Sequence, residues 1–151
     1  MKHRIYILDD HELYVASIKM LIETTCDFEV IGSGSTIKEF KKFRSDNKVD
    51  LLILDISLGN ENGLDIANKL NNQDELKIIV ISRINEPELI LELKNIGVNG
   101  YIDKTSKPDE FKSALETVIN NMDFFPSNLN RSSERDSIFS LSSQEIKILK
   151  L

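Results

Sequence analysis

Acidic, hydroxyl and amino side chains stand at the ends of four short apolar runs in this 151-residue chain. Asp9 and Asp10 come directly after the first run, and Asp55 comes directly after another. Ser82 and Lys104 stand at the ends of two later runs. If these runs are neighbouring parallel strands, three carboxylates, a hydroxyl and an ammonium converge at one edge of a sheet.

Carboxylates that lie close together resist ionising at the same time and raise one another's pKa. A hard divalent cation relieves this conflict, and Mg²⁺ in proteins is held by one or two carboxylates with waters and phosphate oxygens. A carboxylate can also attack phosphorus and form an acyl phosphate, whose charge the metal, Lys104 and Ser82 would neutralise. The set therefore indicates phosphoryl transfer, although each residue alone has a structural alternative, such as a helix cap for Asp9 and Asp10.

Apolar runs and amphipathic stretches alternate along the chain, as they do in βα repeats around a parallel sheet. Strands are predicted at residues 4–8, 28–32, 50–54, 77–82 and 100–103. These runs lack strict polar alternation, which is expected when helices cover both faces of the sheet. The sequence predicts an α/β fold, a (βα)5 doubly wound five-stranded parallel sheet of flavodoxin-like type.

Helix boundaries are marked at several positions. The spacing of a capping box occurs at Thr36–Glu39 and again at Ser106–Asp109. Pro87 stands in the first turn of a predicted helix, and Gly97 stands just past its end. We expect helices to begin or end at each of these points.

The composition is that of an ordinary globular protein, with 40% hydrophobic and 29% charged residues. A net charge of -6 argues against binding nucleic acid through an overall electrostatic field. Cys26 is the single cysteine, so an internal disulfide is excluded, which suits a reducing compartment. No apolar run approaches the roughly 18 residues that span a bilayer, and we expect a cytoplasmic protein without membrane partners.

The character of the chain changes after about residue 121, where it becomes polar and rich in Ser and Asn. Residues 122–140 are predicted to be a linker. Residues 141–151, LSSQEIKILKL, are predicted to begin another helix, with Ser142 as N-cap and Glu145 three residues later.

A set of residues occurs in a familiar order: Asp9, Asp10, Asp55, Asn62, Gly63, Ser82, Tyr101 and Lys104. In this order and spacing, residues 1–121 resemble the receiver domain of two-component response regulators, the CheY-like fold. By this resemblance Asp55 is the phospho-acceptor, and Mg²⁺ is held by Asp9, Asp10, Asp55 and the backbone carbonyl of Ser57. The resemblance also implies a phospho-acceptor with at most self-phosphorylation and autodephosphorylation activity, rather than an enzyme.

The remaining matched residues are implied to act in a conformational switch. Ser82 resembles the hydroxyl that turns toward the phosphoryl group, and Tyr101 resembles the aromatic residue that follows it inward. Lys104 resembles the ion-pair partner of the phosphate.

Residues 141–151 are similar to the opening of the helix-turn-helix domain in the NarL/FixJ (LuxR-type) subfamily. This resemblance implies phosphorylation by a sensor histidine kinase, a homodimer on activation, and transcription regulation through a DNA-binding domain. Eleven residues form only the start of such a domain, so DNA contact would need further chain.

Two positions depart from the receiver pattern. Gly59 follows Leu58 where a proline is common, so the loop after Asp55 is expected to be more mobile than usual. Arg83 stands where a small residue often follows the switch hydroxyl, and we expect it to alter the rates of phosphorylation or dephosphorylation.

Two alternatives remain open at this point. One is a stand-alone receiver that acts as a phosphate sink or a protein-binding module. The other is a haloacid-dehalogenase-like phosphatase, although that class has Asp-x-Asp after its first strand whereas this chain has Asp9-Asp10-His11.

Overall fold

The computed structural model describes residues 2–25, 27–59, 61–71 and 75–126. Five parallel strands form one sheet in the order β2-β1-β3-β4-β5. The strands are β1 His3–Leu8, β2 Phe28–Gly34, β3 Leu51–Asp55, β4 Lys77–Ser82 and β5 Gly100–Asp103. The helices that follow them are α1 Glu12–Glu23, α2 Ile37–Asp46, α3 Gly63–Leu70, α4 Pro87–Ile96 and α5 Pro108–Ile119. The predicted (βα)5 doubly wound sheet is confirmed.

Side chains of each strand alternate between two apolar cores, one on each face of the sheet. On β1, Tyr6 and Leu8 enter the core that α2, α3 and α4 cover. Ile5 and Ile7 enter the core that α1 and α5 cover. Because both faces are buried, every position of these strands can be apolar, which explains the unbroken hydrophobic runs in the sequence.

Three of the predicted helix signals act as expected. The Thr36 hydroxyl accepts a hydrogen bond from Glu39 N at 3.2 Å, and this caps α2. Pro87 is the first residue of α4. Gly97 ends this helix with a left-handed φ of 108°, a conformation that glycine adopts at little cost.

The predicted cap at Ser106 is wrong, because the N-cap of α5 is Lys107. Ser106 N donates instead to the carbonyl of Asp103 at 2.9 Å, which holds Ser106 in the turn that follows β5. Pro108 then begins the helix with a φ that is already suitable.

A short antiparallel pair, Ser57–Leu58 with Glu61–Asn62, follows β3 and leads into α3. The Asn62 side chain caps α3 by accepting from Leu64 N at 2.9 Å. Gly63 lies so near the backbone of Ile56 that an added Cβ would stand 2.5 Å from Ile56 Cα. The Asn-Gly pair of the sequence therefore brings the chain back against the backbone of Ile56, the residue after Asp55.

The chain beyond α5 attaches to the free edge of β5. Phe124 N donates to the carbonyl of Asn99 at 3.0 Å, and Tyr101 N donates to the carbonyl of Phe124 at 2.9 Å. Phe124 and Phe125 pack against opposite cores. The first residues of the predicted linker are thus tied to the sheet, and the predicted helix at 141–151 lies outside the described residues.

Among the residues that the structure describes, no helix is long and apolar enough to cross a membrane.

Candidate functional site

The carboxyl ends of β1 and β3 meet because these strands are hydrogen-bonded neighbours. Leu8 pairs with Leu54 in the register, so Asp9 and Asp55 follow equivalent positions. Asp9 is 3% exposed and Asp55 is 1% exposed, whereas Asp10 faces solvent. Ligand-capable atoms of Asp9, Asp10, His11 and Asp55 all lie within 4.8 Å of one another.

The Lys104 ammonium lies between the two buried acids. Its Nζ is 3.0 Å from Asp9 Oδ2 and 3.1 Å from Asp55 Oδ2, and the side chain is 4% exposed. The Lys104 amide donates to the carbonyl of Ser82 at 2.9 Å, which fixes the start of the side chain beside the end of β4. One buried cation therefore serves two buried carboxylates.

His11 joins this group, which the sequence reasoning missed. His11 Nδ1 lies 2.8 Å from Asp9 Oδ1, 3.3 Å from Asp55 Oδ2 and 3.0 Å from Lys104 Nζ. Its Nδ1 can donate to Asp9 or accept from Lys104, but a single tautomer cannot do both. The signal in the sequence was the position of His11, directly after Asp9-Asp10 and directly before α1. At this position its ring lies beside the acids.

The two buried acids have pKa shifts of opposite sign. Burial alone would raise the pKa of Asp9, but the His11 amide, Lys104 and the His11 ring hold this pKa below its usual value. Burial raises the pKa of Asp55, and the charge of Asp9 adds to that effect. The Ser57 amide, 3.0 Å from Asp55 Oδ1, and Lys104 oppose the rise. The negative charge of Asp55 is therefore less well compensated by its neighbours than the charge of Asp9.

Ser82 and Tyr101 meet at the loop that follows β4. Ser82 is buried, and its Oγ accepts from Ile84 N at 2.9 Å. Tyr101 is 2% exposed, and its hydroxyl donates to the carbonyl of Ile84. Both side chains are thus hydrogen-bonded to the backbone of Ile84.

The remaining predicted positions lie around the rim of the site. Ser57 donates its amide to Asp55, and its carbonyl as a metal ligand stays a prediction. Gly59 has a left-handed φ of 49°, and an added Cβ there would lie 3.6 Å from Asp10 Oδ2. Arg83 is exposed directly after Ser82, and its effect on rates stays a prediction.

The acidic group fits a divalent cation. Three carboxylates are the hard oxygen donors that Mg²⁺ prefers. Asp9 Oδ2 is buried and meets no donor with hydrogen-bond geometry among the described residues, so Lys104 supplies it with charge but not with a well-directed hydrogen bond. An oxygen in this condition is available as a metal ligand.

Residues 5–116, from β1 into α5, match the response regulator receiver domain. The chain belongs to this family. This receiver is similar to the response regulator UvrY of Escherichia coli (strain K12), with 28% identity over 126 residues that cover 83% of this chain and 58% of UvrY. It is also similar to the DNA-binding transcriptional activator EvgA of the same strain, with 28% identity over 154 residues, 95% of this chain and 73% of EvgA.

A solved structure shares the receiver fold. It is a two-component response regulator of the LuxR family from Aurantimonas sp. SI85-9A1, with a TM-score of 0.81 and 19% identity, and the match covers 91% of this chain and 99% of that one. This chain spans 58% of the length of UvrY.

Proposed function

We propose that this receiver is a phosphorylation switch in which Asp55 accepts a phosphoryl group from a phosphohistidine of a sensor histidine kinase. The observation that carries the proposal is the buried Asp55 carboxylate, with the Lys104 ammonium 3.1 Å away and the acids Asp9 and Asp10 beside it. A carboxylate in such surroundings has the charge partners that phosphoryl transfer needs.

The reaction forms one bond and breaks another. An Asp55 carboxylate oxygen attacks phosphorus, the P–N bond to the kinase imidazole breaks, and the imidazole leaves with the electron pair. Lys104 stabilises the negative charge on the transferred oxygens. Asp9, Asp10, Asp55 and the Ser57 carbonyl would hold Mg²⁺, which would supply further charge neutralisation.

The switch operates through the residues that bond to Ile84. The phosphoryl group draws the Ser82 hydroxyl away from Ile84 N, and Tyr101 in its buried position fills the space beside it. Phosphorylation shifts the populations of two forms only by its differential interaction with them. A shift from about 1:99 to 99:1 requires roughly 5.5 kcal/mol of such difference.

Output in the longer protein is proposed to be transcription regulation, with DNA contacted through chain beyond the receiver and with a homodimer formed on activation. This proposal is supported by the similarity to EvgA, a DNA-binding transcriptional activator. Phe124 also bonds to the edge of β5, so the strand that carries Tyr101 is in direct contact with the segment that follows α5.

The test is phosphorylation by acetyl phosphate in the presence of Mg²⁺, followed by electrophoresis that separates the phosphorylated form. We expect nearly stoichiometric uptake of phosphate in the wild type and none in Asp55→Asn. Asp46→Asn removes an exposed acid and is the control, which should take up phosphate as the wild type does. Rapid release of phosphate from many phosphomonoesters, without a stable adduct, would instead indicate a phosphatase.

A further inference from the structure

The Lys104 ammonium has an aromatic neighbour in addition to its polar ones. Its Nζ lies 4.8 Å from the centroid of the Tyr14 ring and over the face of that ring. A cation within about 6 Å of a ring centroid is attracted by the ring quadrupole, more strongly when water is excluded. The Lys104 side chain is almost fully buried, so this contact belongs to the desolvated kind.

Tyr14 is partly buried and packs against one of the two cores. It stands in the first turn of α1, and its half-buried ring packs against the core between α1 and α5. Burial, with the charges of Asp9 and Asp55, raises the pKa of Tyr14, so the phenol is neutral and presents a ring face rather than a second anion. The ring therefore presents an uncharged surface on one side of the ammonium.

The polar neighbours of Lys104 include the groups that would react or bind metal in the proposed phosphorylation, whereas the Tyr14 ring would do neither. Asp55 Oδ2 belongs to the group that becomes an acyl phosphate, and Asp9 Oδ2 is shared with any cation that these acids hold. His11 is half exposed, and its Nδ1 is divided between Lys104 and three acids. Of the contacts described around the ammonium, the Tyr14 ring face is the one that involves neither a carboxylate nor a shared ring nitrogen.

Resting on the proposed phosphorylation of Asp55, we propose that Tyr14 is a positioning residue that holds the Lys104 ammonium beside Asp55 through its ring face. The ring limits where the ammonium can move once Asp9 no longer binds it. Lys104 then meets the phosphoryl oxygens from a fixed position, and less of the attraction is lost to ordering a long side chain.

Two variants separate the ring face from the rest of the side chain. Tyr14→Phe keeps the face and removes the hydroxyl, whereas Tyr14→Leu keeps apolar volume and removes the face. The first measurement uses metal-free, unphosphorylated protein and records the proton shifts of the Lys104 ε-methylene by NMR. We expect an upfield ring-current shift in the wild type and in Tyr14→Phe, and its loss in Tyr14→Leu.

The second measurement is the affinity for trifluoroberyllate, a phosphoryl mimic, in the presence of Mg²⁺. Tyr14→Phe should stay within about 2-fold of the wild type, and Tyr14→Leu should bind about 3- to 30-fold more weakly, the range expected for a buried cation–π contact. In a Lys104→Met background, Tyr14→Leu should cause no further loss, because the ring acts through the ammonium.

A wild-type Lys104 methylene without the upfield shift would overturn the inference. Equal weakening by Tyr14→Leu with and without the lysine would also overturn it, since a purely structural role of Tyr14 does not depend on Lys104. Wild-type protein that binds no trifluoroberyllate contradicts the proposed function instead, and the metal-free shift then decides the Tyr14 contact by itself.

Discussion

Lys104 Nζ lies 3.1 Å from Asp55 Oδ2, although the two residues are 49 positions apart in the chain. The contact spans the end of β4, because the lysine directly follows β5 and the acid is the last residue of β3. The same ammonium lies 3.0 Å from Asp9 Oδ2. Two buried carboxylates with one buried cation leave negative charge in the site, and this excess is what a divalent cation would neutralise.

Mg²⁺ is expected to stabilise the folded protein through these acids. A ligand that binds only the folded state stabilises it by about 2.7 kcal/mol at a concentration 100 times its Kd. Thermal unfolding should therefore show a Tm that rises with Mg²⁺ in the wild type and hardly changes in Asp9→Asn. Asp46→Asn, an exposed acid at the end of α2, is the control and should keep the full Mg²⁺ response. An unchanged response in Asp9→Asn would remove Asp9 from the metal site.

Asp55→Asn is expected to raise stability in metal-free buffer at neutral pH. The folded pKa of Asp55 is raised, so its contribution to stability is present below the unfolded pKa of about 3.9 and is lost as pH rises through the folded pKa. Asparagine avoids this loss. The Tm of Asp55→Asn should exceed that of the wild type by about 2–8 °C at pH 7.5, and the gap should narrow as pH falls toward about 4.

The control for this pH series is again Asp46→Asn. The difference between its Tm and that of the wild type should not grow as pH rises. A metal-free Asp55→Asn protein that is less stable than the wild type at pH 7.5 would show that the ion pair with Lys104 outweighs burial and the repulsion by Asp9.

Gly63→Ala is expected to cost about 1–3 kcal/mol of unfolding free energy, the usual range for overpacking. The new Cβ would meet backbone atoms of Ile56 at 2.5 to 2.8 Å, and a backbone cannot move aside as a side chain can. Gly32→Ala is the matched control, because its Cβ would meet the edge of the Phe43 ring at 2.9 Å and that ring can shift. Urea denaturation should show the larger loss for Gly63→Ala; an equal loss would argue against the close approach.

A chain that ends at Asn121 is expected to be less stable than one that ends at Pro126. The longer chain keeps the two backbone hydrogen bonds of Phe124 and the packing of Phe124 and Phe125, together worth about 2–3 kcal/mol. Hydrogen exchange at the Tyr101 amide gives a local measure, since this amide donates to Phe124. Equal stability and equal exchange would place the end of the folded unit at residue 121, as the sequence suggested.

The sequence was informative where a pattern reports directly on burial. The runs that end at Leu8 and Leu54 are apolar because helices cover both faces of the sheet, and residues at the carboxyl ends of neighbouring parallel strands must lie close together. The proximity of the acids at positions 9 and 55 could therefore be predicted from the sequence alone.

Other features depend on local geometry that a pattern does not carry. Ser106 has the spacing of a cap, but a hydrogen bond to Asp103 holds it in a turn and α5 begins two residues later. His11 and Tyr14 reach the site only because α1 starts directly over the acids, and neither residue type signals this by itself. The attachment of Phe124 to β5 was missed because it is an isolated bridge, and two adjacent phenylalanines before Pro126 have neither the length nor the alternation of a strand.

The most direct test of the central claim is to locate the acyl phosphate. Protein treated with acetyl phosphate and Mg²⁺ is reduced with borohydride, which converts a phosphorylated aspartate to homoserine, and its peptides are then sequenced by mass spectrometry. The account predicts homoserine at position 55 and unmodified aspartate at positions 9 and 10. Homoserine at position 9 or 10, or none anywhere in a protein that has taken up phosphate, would contradict it.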